Sequence, residues 1–316
     1  MRSLIVLCGS LVLGSCALGS DPLFPVGNAP EFPTGPFAVG TPTTDPDGWI
    51  EYVPGTMPLI LVAPHGGLLQ PVNVPFRSCP VEAADCTTTN DANTQDFARR
   101  LSDSIYARTR LRPHVIINLL HRNRYDGNRG RLEATGGNGI LDRAWRWQHA
   151  FIDSAKATIG RQHGRGLLID LHGHAHDIAR LEWGYAISRD ALNGSDAMLN
   201  SSLLGSSIAR LAVDRRSGDS YIQLLRGPHS FGGLLQAAGY AGVPSPQFPG
   251  PGVDPYFEGG YNTQRHGSRD DGPVDAVQLE MPFDGVRDVP ANRAAFASAL
   301  TTATLAFLHR QYGYTP

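Results

Sequence analysis

Apolar residues fall into two kinds of run along this chain. Short unbroken runs bounded by Pro or Gly read as buried strands: "MPLILVA" (57–63), "HVIINLL" (114–120), "GLLIDLH" (166–172) and "AVQLEMP" (276–282). "EWGYAIS" (182–188) reads as another. Longer stretches carry their apolar residues at helical spacing. Phe97, Leu101 and Ile105 are four apart within 90–110, with Asn and Asp at the start. Residues 139–159, 202–214 and 292–310 also read as helices. Strands alternating with helices this long predict an α/β fold: a mostly parallel or mixed central sheet with helices on both faces.

The ends of this pattern set the domain organisation. Arg2 followed by the apolar run Leu4–Leu13 has the form of a signal peptide, too short to span a bilayer. The run closes in "LGSC", which resembles a lipobox and would put a lipid on Cys16; the other reading is plain cleavage at the small residues Ala17–Gly19. Either way the protein is expected to be exported, as a lipoprotein of the bacterial cell envelope or as a periplasmic or secreted protein. Residues 1–16 are therefore assigned to the leader. Residues 17–48, dense in Pro and Gly, are assigned to a tether or surface-hugging arm. Residues 49–316 form one α/β domain. Residues 227–275 interrupt its regular pattern with a Gly/Pro/aromatic segment, which reads as an ordered loop over a substrate.

Charge and cysteine content narrow the chemistry. The net charge is −2 and there is no basic block, so nucleic acid is not an expected partner. A small molecule or peptide-like substrate is, and contact with a membrane would come only through a lipid on Cys16. In the mature chain Cys79 and Cys86 form an even, closely spaced pair, which in an oxidising compartment predicts a disulfide.

Three strand ends carry candidate ligands or bases. "PHGG" puts His65 just past the first strand, "DLHGHAH" puts His172 at the end of the third, and "QLEMP" holds Glu280. In open α/β sheets ligands bind beyond the carboxyl ends of the strands, so residues far apart in sequence can meet there. Two imidazoles at equivalent ends predict a zinc site with nitrogens about 3–3.5 Å apart. Glu280 shares a strand face with Gln278, opposite Val277, Leu279 and Met281. A carboxylate there is costly unless paired or used, and its predicted use is as general base for zinc-activated water. The loop "HRNRYDGNRGR" (121–131) offers Arg122, Asn128 and Arg129 to a carboxylate or oxyanion.

Together these residues resemble the N-formylglutamate amidohydrolase family, within the wider zinc carboxypeptidase-like (phosphorylase/hydrolase-like) fold. The resemblance lies in "PHGG", "RNRYDGNR", "DLHGHAHD" and "QLEMP" in that order, with "AWRWQHAFID" and the late loop "YFEGGYNTQRHGS". It implies His65 and His172 as Zn2+ ligands and Glu280 as the base. Arg122, Asn128 and Arg129 would grip a substrate carboxylate or carbonyl, with Arg122 taking part in catalysis; His174 and His266 are further substrate-facing candidates. The family pattern expects a Glu three residues after the first His, where this chain has Leu68. Asp91, in "DANTQDFA", is similar to an acidic position before the family's first helix. It is the third-ligand candidate, with a helix N-cap as its other reading. The function expected is an exported zinc-dependent hydrolase of amide bonds in N-acyl or glutamate-like substrates. The alternative, favoured by the missing Glu at 68, is a non-catalytic binding lipoprotein on the same fold.

Overall fold

The unbroken apolar runs become the centre of an eight-stranded sheet. The strands are β1 (Thr43–Thr44), β2 (Ile50–Val53), β3 (Leu59–Ala63), β4 (His114–Asn118), β5 (Gly166–Gly173), β6 (Leu181–Gly184), β7 (Gly242–Val243) and β8 (Val274–Met281). Their order is β1-β2-β4-β3-β5-β8-β6-β7. The inner four run parallel, while β2 joins β4 and β6 joins β8 antiparallel. The computed structural model describes residues 35–77, Cys79 and residues 86–316. The expected leader, the cysteine at its end and residues 17–34 of the expected tether lie outside them.

Each central strand is buried on both faces, and alternate residues serve two separate cores. One core takes Leu59 and Leu61 of β3, Ile169 and Leu171 of β5, and Val277 and Leu279 of β8. Helices α1 (Thr94–Thr109) and α4 (Pro290–Phe307) cover that face through Phe97, Leu101, Phe296 and Leu300. The other core takes Ile60, Val62, Leu168 and Ala276, covered by the long helix α2 (Gly139–His163) through Leu141, Phe151, Ile152 and Ile159. A short helix, α3 (Tyr261–His266), follows the Gly/Pro/aromatic loop. On the second face the apolar positions give way near the carboxyl ends. Leu168 is followed by Asp170 and His172, and Ala276 by Gln278 and Glu280. β5 and β8 lie in register, so His172 faces Glu280 and Asp170 faces Gln278 across the ladder.

Two expectations change here. The domain begins before Trp49: Thr43 and Thr44 pair with β2, Asp45 accepts from the Trp49 and Ile50 N–H groups, and Phe37 packs against Tyr52 and Phe151. Residues 35–48 are thus part of the fold, as an arm on its surface. The helix expected over 202–214 is broken in two. Ser207 leaves the helical pattern to donate to the Tyr185 carbonyl through its N–H and to Ala276 through its hydroxyl.

The first residue of β4, His114, is buried, and its Nδ1 accepts from the Gly55 N–H and faces the Tyr52 hydroxyl. Burial, with a smaller contribution from the charge of His163, pushes its pKa down to about 4. An unfolded histidine titrates near 6.5, so between these values the unfolded chain binds more protons and stability rises with pH. Lowering the pH from about 6.5 to about 4 should therefore remove up to about 3 kcal/mol, with no further loss from this group below. In His114→Gln, denaturant titrations across this range should lose that slope; an unchanged slope would assign it elsewhere.

Candidate functional site

The site lies at the carboxyl ends of β3, β5 and β8, in a cleft of about 710 Å³. His65 follows β3 and is delivered by Pro64, Gly66 and Gly67. A side chain at Gly66 would meet the Gln95 backbone at 2.4 Å, and one at Gly67 the Leu119 backbone at 2.3 Å. Only glycine lets the strand end turn this closely between α1 and β4. Asp91 sits in the turn before α1, where its carbonyl accepts from Thr94 and its N–H donates to the His65 carbonyl. The helix cap itself is Asn93, in left-handed conformation. Asp91 does not cap the helix; its carboxylate turns into the cleft.

Three atoms meet there. His65 Nδ1 lies 3.1 Å from His172 Nδ1, Asp91 Oδ2 lies 3.3 Å from the first, and the same oxygen lies 3.2 Å from the second. All three residues are buried. The far nitrogens are spoken for: His65 Nε2 faces Asp126 Oδ1 at 2.6 Å and His172 Nε2 faces Asp170 Oδ2 at 3.0 Å. On each ring Nε2 lies closer to a carboxylate than Nδ1 does, so in the neutral ring the proton sits on Nε2 and Nδ1 offers its lone pair. Two lone pairs and a carboxylate oxygen then point at one another in a buried place. Only a positive charge, a proton or a metal ion, makes that stable. Donors in a tetrahedral zinc shell stand about 3.3–3.4 Å apart, and imidazole with carboxylate is a set that zinc accepts. The residues fit a metal. The carboxylates behind both histidines fix tautomer and ring orientation, as around metal-binding imidazoles generally.

The same charges shape the titrations. Burial alone would push Asp91 up, but the charges of His65 and His172 and the hydrogen bonds they make hold it well below the usual carboxylate range. Asp126 behaves alike, burial being overcome by His65, Arg122 and Arg129. Burial opposes a charge on His172, yet Asp170, Asp91 and Glu280 raise it well above the ordinary histidine value.

Glu280 Oε1 lies 3.9 Å from His172 Nδ1 and accepts from Gln278 Nε2 at 2.9 Å; Oε2 is buried with no hydrogen-bond partner among the described residues. Burial, helped by Asp91 and Glu182 and opposed by His172, pushes Glu280 up to about 8. Arg122 lines the cleft with Nε on Asp126 Oδ2 and Nη1 on Asp91 Oδ1. Asn128 lies against His172 Nε2, and its Oδ1 accepts from the Asn262 N–H. Arg129 lines the cleft and donates to Glu133. His174 is a wall residue: Nε2 meets the Arg180 carbonyl and Nδ1 accepts from the His176 N–H. His266 is not in the cleft. It is the last residue of α3, buried against His149 at 2.8 Å and beside Asp153, so the expectation of a substrate contact there is corrected. Position 68 supplies no ligand either: a leucine side chain has no donor atom, and Leu68 is exposed.

The predicted disulfide is present, with Cα atoms of Cys79 and Cys86 5.7 Å apart. It closes against the site through Arg77, whose guanidinium donates to Cys86 Sγ, the Thr87 carbonyl and Asp126 Oδ2.

No protein-family description matches the chain, and no curated protein does. Among solved structures it is similar to an N-formylglutamate amidohydrolase from Ralstonia eutropha JMP134, at 13% identity and a TM-score of 0.49 over 83% of this chain and 98% of that one. It is also similar to a gene product of Agrobacterium tumefaciens, at 16% identity and a TM-score of 0.46 over 81% of this chain and 92% of that one. A candidate metallopeptidase from Shewanella denitrificans OS217 gives 10% identity and a TM-score of 0.33 over 87% and 85%.

Asp126 and Asp170 were not singled out from the sequence as working residues. Asp170 could have been, since it stands two positions before His172 on one strand face inside an apolar run. Arg122 is the counter-charge to two buried carboxylates. Removing one partner of a buried ion pair costs about 3–5 kcal/mol. Arg122→Met should lower unfolding free energy by that order in denaturant titration; a loss under about 1 kcal/mol would mean that other groups neutralise Asp91 and Asp126.

Proposed function

We propose that this chain is an exported zinc-dependent hydrolase that cleaves an amide bond of an N-acyl or glutamate-like amino acid, or of a peptide-like substrate. The observation that carries this reading is the buried triangle of His65 Nδ1, His172 Nδ1 and Asp91 Oδ2, with Glu280 beside it in one cleft. These three residues would hold the ion, with Asp126 and Asp170 behind the imidazoles. When bound, zinc supplies Lewis acidity toward a carbonyl and lowers the pKa of water.

The chain's own residues do the rest. Glu280 Oε2 takes the proton of the attacking water as its oxygen bonds to the carbonyl carbon. The same oxygen then returns the proton to the leaving nitrogen as the C–N bond breaks, giving a carboxylic acid and an amine. Burial raises the pKa of this carboxyl, so its ionised form is a stronger base than an ordinary carboxylate. Arg122 and Arg129, with Asn128 between His172 and α3, present donors to a carboxylate or to the developing oxyanion. His174, its ring nitrogens both on backbone groups, shapes the wall and moves no proton.

Export follows the N-terminal leader and is compatible with the disulfide. No helix among the described residues is long and apolar enough to cross a membrane. Attachment would come through a lipid on Cys16, and nucleic acid is not a partner on this reading.

The test is hydrolysis of N-formyl- and N-acetyl-glutamate and of γ-glutamyl peptides by zinc-loaded protein. Glu280→Gln should keep the metal and lose about 10²–10⁴-fold in kcat, the usual worth of a general base. Near-full activity in that variant would place the base elsewhere. Asp126→Asn and Asp170→Asn should each weaken zinc binding about 10–100-fold in competition titrations with a chelator, while His266→Asn leaves it unchanged. Unaltered affinity in both aspartate variants would mean that the carboxylates do not orient the ligands.

A further inference from the structure

Gln278 is buried between two partners, and its amide can face them in only one sense. The Gly260 N–H can only donate, so Gln278 Oε1 must accept it, at 2.6 Å. That leaves Nε2 toward Glu280 Oε1, at 2.9 Å. The terminal torsion of a glutamate is soft, with a broad, roughly two-fold profile, so a single fixed donor decides how the carboxylate plane lies. Here it holds Oε1 and leaves Oε2 without a hydrogen-bond partner among the described residues.

Gly260 is itself tightly placed. A Cβ there would come within 2.2 Å of Asn128 Nδ2, so the backbone packs directly on the amide that touches His172. The loop leading to it is strapped to the β6 edge and the residues that follow. Tyr256 donates to the Trp183 carbonyl, the Phe257 N–H donates to Glu182, and the Glu258 carbonyl accepts from the Ala186 N–H. Phe257, Glu258, Gly259 and Gly260 also line the cleft. The loop that walls the cleft and Oε1 of Glu280 are therefore joined by one side chain.

We propose that Gln278 is a positioning residue, which fixes the carboxylate plane of Glu280 through Oε1 and ties that orientation to the seating of the Gly259–Gly260 loop. This rests on the reading of Glu280 as the base. Neither near relative in size serves: asparagine is one carbon too short to span both partners, and glutamate has no donor for Glu280.

The test compares Gln278→Leu, Gln278→Glu and Glu280→Gln in the full chain, with kcat and KM on N-acyl-glutamates, zinc content, and hydrogen exchange of the Gly260 amide. The exchange measurement needs no turnover. Gln278→Leu should expose the Gly260 amide and lower kcat about 10–100-fold, the usual scale for a misplaced catalytic group, with KM changed far less and zinc content kept. Gln278→Glu keeps an acceptor for Gly260, so its amide should stay protected while kcat still falls. A purely structural role would leave kcat intact in that second variant and overturns the proposal. So does an unchanged Gly260 exchange rate in Gln278→Leu. Full activity in Glu280→Gln would instead sink the general-base reading, and the positioning role with it; loss of activity there with normal kcat in both Gln278 variants sinks the positioning role alone.

Discussion

Two buried imidazole nitrogens and a carboxylate oxygen, each about 3.1–3.3 Å from the others, need a positive charge among them, a proton or a metal ion. That constraint organises the surroundings. Asp126 and Asp170 take the far side of each ring and so turn both lone pairs inward. Arg122 and Arg77 neutralise the carboxylates that this requires, and Arg77 joins them to the disulfide loop. An arrangement meant only to pack a core would need none of these charges, and leucine at the same positions would bury more apolar surface at less cost.

The sheet makes the arrangement available. Strands β5 and β8 are parallel and in register, so the alternation that sends Leu168 and Ala276 into the core sends Asp170, His172, Gln278 and Glu280 to the same face a few residues later. The change from apolar to polar along that face marks where covering helix α2 ends its contribution and the cleft begins. His65 arrives from the neighbouring strand and Asp91 from the start of α1, so three separate segments converge at one sheet edge, as expected beyond the carboxyl ends of parallel strands.

Much of this was legible in the residue pattern. The short apolar-rich runs of β3, β5 and β8 read as buried strands, and two histidines at their ends are more than packing explains. The disulfide followed from close spacing and the expectation of export. Other features depend on three-dimensional neighbours. The break at Ser207 exists because two carbonyls from other elements compete for its donors. Asp91 was named from the sequence as a third-ligand candidate with a helix cap as its other reading, and only the turn, whose cap is Asn93, separates the two. His266 was misplaced because a six-residue helix carries no periodicity long enough to show which side it buries. The pairing of Gln278 with Asp170, and its bridge to Gly260, are facts of register and loop seating that no single strand reveals.

The central claim is that the triangle binds one metal ion through both Nδ1 atoms and Asp91. X-ray absorption at the zinc edge, on protein loaded with one equivalent of Zn2+, tests it most directly. The account predicts a shell of two imidazole nitrogens at about 2.0–2.1 Å with carboxylate oxygen at about 2.0–2.2 Å, and loss of one imidazole in His65→Ala. A spectrum of hydrated zinc without histidine scattering, or one unchanged by His65→Ala, would contradict it.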